Sequence, residues 1–186
     1  SLIRDNLVSG LGGGISNADG RVIVDGSQVV SNTACCFGGG GIATLASLTA
    51  TVTVQNGASV SYNSTEGVGG GILNSDSLVI VDGSEIAWNS SILGGGVFQS
   101  TFFGSLFDPS TTITNGAVIK HNHAIDDGSG AGEGGGVYHD LGHVSIVNSL
   151  VYSNTADQDG GGISALDYLT ITNSYISANL SVYNDG

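Results

Sequence analysis

Apolar and polar residues alternate in short bursts along this chain, and each burst closes on a turn-forming residue. The bursts read VIVDG to Gly26, VTVQNG to Gly57, LVIVDG to Gly83, TTITNG to Gly116, VSIVNS to Ser149 and LTITNS to Ser174. Period-two alternation rich in Val, Ile and Thr predicts a strand with one buried face, and the closing Asn, Asp or Gly predicts a corner. Aligned on their closing residues, the bursts place Ile23, Val54, Ile80, Ile113, Ile146 and Ile171 in one inward column. A second inward column holds Val52, Leu78, Val144 and Leu169, with Arg21 and Thr111 as misfits. The alternate positions, among them Thr53, Thr112, Thr114, Ser145, Thr170 and Thr172, suit a partly wetted outer face. No stretch sustains the apolar period of a helix.

Two further signatures recur in an unchanging order with the first. A β-branched residue stands three positions before Asn6, Asn32, Asn63, Asn89, Asn122, Asn154 and Asn179, in the strings IRDN, VVSN, VSYN, IAWN, IKHN, VYSN and ISAN. Each interval of that series holds one triple glycine capped by a β-branched residue, ending at Ile15, Ile42, Ile72, Val97, Val137 and Ile163. Every segment resembles its counterpart one repeat away better than its own neighbour, so like is expected to stack on like. The predicted fold is all-β: a right-handed parallel β-helix, or solenoid, of about six to seven rungs. Three short sheets with no capping helix are expected, in one domain spanning residues 1–186.

The stack assigns roles to both conserved letters of the repeat. At an inward corner, each asparagine amide is placed to donate to the next, giving a ladder of Asn6, Asn32, Asn63, Asn89, Asn122, Asn154 and Asn179. The residues two positions on, Ala34, Thr65, Ser91, Ala124, Ala156 and Ser181, keep that turn small. The sequons at Asn63, Asn89 and Asn179 are therefore expected to carry no glycan. Triple glycine is expected at a sharp corner between closely stacked backbones. A phosphate-cradling loop would need a helix after it, whereas each GGG here leads into a strand.

Composition narrows the partners. Sixteen acidic residues against Arg4, Arg21 and Lys120 give a formal charge of −13, which repels phosphate and argues against nucleic acid. No apolar run reaches the roughly 20 residues of a membrane-spanning helix. The absence of methionine suggests a mature or partial chain. Cys35 and Cys36 are adjacent, which does not fit CxxC metal spacing and leaves a buried thiol pair, a vicinal disulfide or a link to another chain. Scarce lysine with abundant Ser, Thr, Asn and Gly leans toward an extracellular or cell-surface setting.

The alternation of GGG[IV] with [VI]xxN over nearly the whole chain resembles the GGAI and FxxN repeats of the chlamydial polymorphic outer-membrane proteins. It is also similar to β-helix repeats of bacterial and archaeal surface proteins. The resemblance implies secretion, surface display, adhesion and sometimes oligomerisation, and it carries over no catalytic residue. This chain departs from the chlamydial pattern in its third glycine, where those repeats have alanine, and in Val or Ile where they have phenylalanine.

Two rungs depart from the template, and departures on a solenoid emerge as loops on one face. FQSTFFGSLFDPST, between Val97 and Ile113, carries Phe98, Phe102, Phe103 and Phe107 and is either a cover for the rod or a contact loop for another chain or a sugar. HAIDDGSGAGEGGG places Asp126, Asp127 and Glu133 near Asp157 and Asp159 of the following rung, a set that either coordinates Ca²⁺ or is simply solvated. Asp126, Asp127 and His143 loosely resemble the Asp-pair and histidine elements of polygalacturonases, but the NTD, GHG and RIK patterns of that family are missing. The expectation is a non-enzymatic extracellular structural or adhesive solenoid with no catalytic residues and no cofactor beyond possible Ca²⁺. It would stack head to tail on itself or adjoin neighbouring domains of a surface protein. A polysaccharide-binding or polysaccharide-cleaving β-helix is the alternative.

Overall fold

The computed structural model describes residues 1–45, 50–101 and 108–182. Within them every paired strand runs parallel to its counterpart one coil away, and no helix occurs. None is therefore long and apolar enough to cross a membrane. The chain is a parallel β-solenoid, as the like-on-like pattern predicts.

Four sheets, not the expected three, form the walls: two of seven strands and two of six. The first coil shows the path, running through Leu2–Arg4, Leu7–Val8, Ile15–Asn17 and Arg21–Asp25. The additional sheet arises because the ladder asparagine cuts one expected segment in two. The residue before each asparagine sits in the left-handed region, with φ of 56° at Ser31, 55° at Tyr62, 60° at Trp88 and 53° at His121. That conformation turns the chain by a corner, so the two-residue strand after it joins a sheet of its own. Side chains rarely adopt it at a cost below about 1 kcal/mol, so the stacked coils must hold it in place.

The register of the long strands corrects the sequence alignment. Val24, Val54, Val81, Ile113, Ile146 and Ile171 form one inward column, and Val22, Val52, Val79, Thr111, Val144 and Leu169 the other. Ile23, Ile80, Leu78 and Arg21 therefore face outward, and Ile23 is 46% and Leu78 38% exposed. The slip comes from the corners. Asp25 is followed by one positive-φ residue, Gly26, whereas Gln55 is followed by two, Asn56 and Gly57. Alignment on the final glycine thus shifts VIVDG and LVIVDG by one residue, and a one-residue shift exchanges the faces of a strand. Arg21 ceases to be a misfit. Thr111 remains inside, fully buried, where it meets the Asn74 amide nitrogen at 3.0 Å.

Val29, Val60, Ile86, Ile119 and Val151 from the three-residue strands fill the same interior with Ile42, Ile72, Val97 and Val137 from beyond the glycine corner. Complete burial of each such side chain contributes roughly 1.5–3 kcal/mol. The two repeat signatures meet across this core. A Cβ on Gly71 would lie 2.5 Å from the Gly96 carbonyl oxygen of the next coil and 2.9 Å from Nδ2 of Asn89. Glycine is required there because the ladder amide and the neighbouring backbone occupy the space of a side chain. The third glycine, the position at which this repeat departs from GGAI, is the one that faces the ladder.

Candidate functional site

The asparagine ladder runs the length of the rod. Each Nδ2 donates to Oδ1 of the next asparagine, at 2.8 Å from Asn6 to Asn32 and 3.0 Å at every step from there to Asn179. The backbone N–H of each asparagine donates to the same Oδ1, as from Asn89 to Asn122 at 3.0 Å. The second Nδ2 hydrogen reaches a main-chain carbonyl, such as Ile86 from Asn122 and Val60 from Asn89. Every polar atom of a central amide is thus paired, which is the condition for burying it. Because both Nδ2 hydrogens of Asn63 and Asn89 are engaged, attaching a glycan at either sequon would break the stack. Ala34, Thr65, Ser91, Ala124 and Ala156 line up beside the ladder and are buried, in agreement with their small size.

A second polar column, beyond the glycine corner, was not recognised from sequence. Asn17, Thr44, Asn74, Gln99 and His139 stack in register and are all buried. The signal was present: each is the third residue of the strand that follows GGG. Asn74 donates to Gln99 and to the Ser110 carbonyl, and Gln99 donates to the Pro109 and Leu141 carbonyls. The Asn74 Oδ1 and both ring nitrogens of His139 are buried without a hydrogen-bond partner. Burial pushes its imidazole below the ordinary histidine range, with nearby backbone groups and Asp167 opposing in part.

An exposed aromatic row occupies the left-handed corner of three consecutive coils. Tyr62 and Trp88 lie parallel with ring centres 6.0 Å apart, Trp88 stacks on His121 at 4.2 Å, and Tyr152 meets His121 edge-on at 6.0 Å. Tyr62 is 57% and Trp88 47% exposed. Ser90, His123 and Thr155 form the floor of a shallow groove beside the row, of about 400 Å³. His123 pairs with Asp157 at 2.7 Å, and Lys120 pairs with Glu85 at 2.7 Å, an ion pair that pushes the lysine up. The histidines and lysine flanking Asn122 are thus each engaged with a neighbour.

Of the aromatic loop, Phe98 is 5% exposed and stacks on Tyr138 at 5.3 Å, within a small cluster that also holds Ala43 and Leu73. It covers the outer face of the rod. Phe102, Phe103 and Phe107 lie outside the described residues.

The acidic loop is held by its own hydrogen bonds. Asp126 accepts from the Gly128 and Gly130 N–H groups and from Gln158, Asp127 accepts from Ser129, and Glu133 accepts from Ser164. The Gln158 bond, with the Gly128 N–H, holds the Asp126 carboxyl below the usual range. Asp157 also accepts from the Asp126 N–H. Asp126, Asp127, Glu133, Asp157 and Asp159 do not gather as a ligand group: among the described residues, the one set of three such side chains with ligand atoms within 4.8 Å of one another is Cys35, Cys36 and Glu66. His143 stacks on Tyr168 and makes no hydrogen bond or ion pair with Asp126 or Asp127. Cys35 and Cys36 form a vicinal disulfide, which decides among the three states open from the sequence.

The fold and its ladders define the class: a parallel β-helix repeat protein. No protein-family model, curated protein or solved structure matches the chain.

Proposed function

We propose that this chain is a length of extracellular, non-catalytic β-solenoid rod that serves at a cell surface as a structural or adhesive element. One observation carries the reading: the asparagine ladder is continuous and polar. Among the described residues, one Nδ2 hydrogen and the N–H of Asn179 have no ladder acceptor, and the Oδ1 of Asn6 has no ladder donor. A donor end and an acceptor end fit head to tail, and either further coils of a longer chain or a second copy of this one satisfy them. Stacking of copies is a heterologous contact that does not close, so it builds a filament. The likeness of GGG[IV] and [VI]xxN to the chlamydial surface repeats supports the setting.

Negative-stain imaging across a concentration series tests self-stacking: fibres one rod wide are expected, and monodisperse short rods at every concentration refute it. A second reading, glycan binding, is favoured by the Tyr62–Trp88–His121 row beside a polar floor of Ser90, His123 and Thr155. Trp88 is the sole tryptophan, so its fluorescence reports on that groove directly. A titration with neutral and uronate oligosaccharides that leaves the emission unchanged removes this reading. A parallel assay for polyuronate cleavage tests the absence of catalysis.

A further inference from the structure

Adjacent residues of an extended strand point to opposite faces, so neighbouring cysteines do not ordinarily converge on one ligand. Here they do. Cys36 lies in the left-handed region with φ of 79°, and this breaks the alternation so that both sulfurs reach the same side, as their disulfide requires. The strand before them pairs Ala34 with Thr65, which sets Glu66 of the next coil against Cys35. The Cys35 Sγ to Glu66 Oε2 distance is 3.9 Å. In the disulfide that sulfur carries no hydrogen, so the approach is a contact and not a hydrogen bond.

We propose that Cys35, Cys36 and Glu66 form a redox-switched site for Zn²⁺: shut while the disulfide stands and opened when a thiol reductant cleaves it. The three ligand atoms already lie within 4.8 Å of one another. A tetrahedral zinc with Zn–S of about 2.3 Å and Zn–O of about 2.1 Å separates its ligands by roughly 3.5–3.8 Å. Glu66 stands close to that distance before any metal enters. Two sulfurs released from their bond relax to a van der Waals separation in the same range. Cys36 and Glu66 are exposed and Cys35 half-buried, which leaves a path for entry and a water for the fourth position. Cys36, Phe37, Glu66, Val68 and Ile92 line an apolar hollow of about 320 Å³ beside the ligands, which excludes water from one flank and strengthens the attraction of thiolate for metal. Thiolates select Zn²⁺ over the Ca²⁺ and Mg²⁺ that would compete at a carboxylate-only site.

The chemistry balances in two steps. Two equivalents of a small thiol reduce the Cys35–Cys36 bond, yielding two cysteine thiols and one oxidised small-molecule disulfide. Zn²⁺ then displaces one proton from each thiol and forms two Zn–S bonds, with no change in its own oxidation state. In reverse, a disulfide oxidant takes two electrons from the thiolates, re-forms the bond and expels Zn²⁺.

The test uses the full chain, oxidised and reduced, titrated with Zn²⁺ and with Co²⁺ as its spectroscopic substitute. The reduced chain is expected to bind one Co²⁺ with a thiolate-to-metal charge-transfer band and tetrahedral d–d bands, displaced by Zn²⁺, while the oxidised chain shows neither. Glu66→Gln should weaken binding by at least about tenfold in the reduced state, and the remote Glu85→Gln should leave it unchanged. Circular dichroism of each sample verifies that the coils remain stacked. Equal binding by oxidised and reduced chains, undiminished affinity in Glu66→Gln, or loss of the coils on reduction would each overturn the proposal.

Discussion

Replacing Asn122 by alanine removes four hydrogen bonds at the middle of the rod. Its Oδ1 accepts from the Asn89 N–H and from Asn89 Nδ2, and its Nδ2 donates to Asn154 Oδ1 and to the Ile86 carbonyl. The residue is 1% exposed, so no water takes over those roles. Two buried donors of Asn89 are orphaned, each at about 1–3 kcal/mol, so Asn122→Ala should cost about 4 kcal/mol against a total stability of about 5–15 kcal/mol. The same change at Asn6 is the internal control. Asn6 sits at the open end of the ladder and is exposed; removing its side chain deletes one bond to Asn32 Oδ1 and orphans no donor. A cost of about 1 kcal/mol or less is expected there. Urea denaturation with an m-value of about 2 kcal/mol/M would separate the two midpoints by roughly 1.5–2 M. Coils couple chiefly to their nearest neighbours, so lost hydrogen-exchange protection should centre on the Asn89 amide. If Asn122→Ala and Asn6→Ala melt within about 1 kcal/mol of each other, the ladder is ornament and the reasoning from buried donors fails.

Burial holds the His139 imidazole below its unfolded value of 6.5, so the unfolded chain binds the extra proton between the two values. Stability from this residue is therefore complete above about pH 6.5 and declines as pH falls toward the depressed folded value, by up to ~1.4 kcal/mol per pH unit. Thermal melts between pH 7 and pH 5 should show the slope, and His139→Gln should flatten it; an unchanged slope refutes the assignment. Three glycines should respond to alanine in different ways. A Cβ on Gly96 would meet the Gly136 carbonyl oxygen at 2.5 Å, whereas Gly116, at φ of 79°, and Gly10 have open space around them. Losses of about 3 kcal/mol at Gly96 and about 1 kcal/mol at Gly116, with no loss at Gly10, are expected in chemical denaturation, and a uniform response would contradict the close-stacking account. Trp88→Asn removes two ring contacts worth about 0.5–1.5 kcal/mol each but relieves left-handed strain of about 1–2 kcal/mol, so stability followed by circular dichroism should fall by no more than about 2 kcal/mol. A loss above about 3 kcal/mol would make the aromatic row a structural staple of the rod and not a spare surface.

Periodicity in the chain fixes the solenoid, because a repeat that matches itself one unit away has its identical residues as nearest neighbours once it coils. The asparagine ladder follows from spacing alone, and so does the small residue two positions beyond it. Sheet count and strand faces did not follow. VIVDG and VTVQNG look alike in letters, yet Gly26 turns the chain with one residue where Asn56 and Gly57 use two, and corner geometry is set by φ angles that letters do not record. Ile23 and Ile80 were misassigned to the core for that reason. The acidic residues Asp126, Asp127, Glu133, Asp157 and Asp159 fall on neighbouring corners as the repeat implies, but which side chains converge there depends on hydrogen bonds that the repeat does not specify, such as those from Gln158 to Asp126 and from Ser164 to Glu133. Cys35 and Glu66 are far apart along the chain and meet because Ala34 pairs with Thr65. Sequence by itself determined that coil would lie on coil; only the tertiary structure decided which faces and corner residues meet, since a corner with one residue more displaces the letter alignment of the strand before it by one position while the strands after it stay in register.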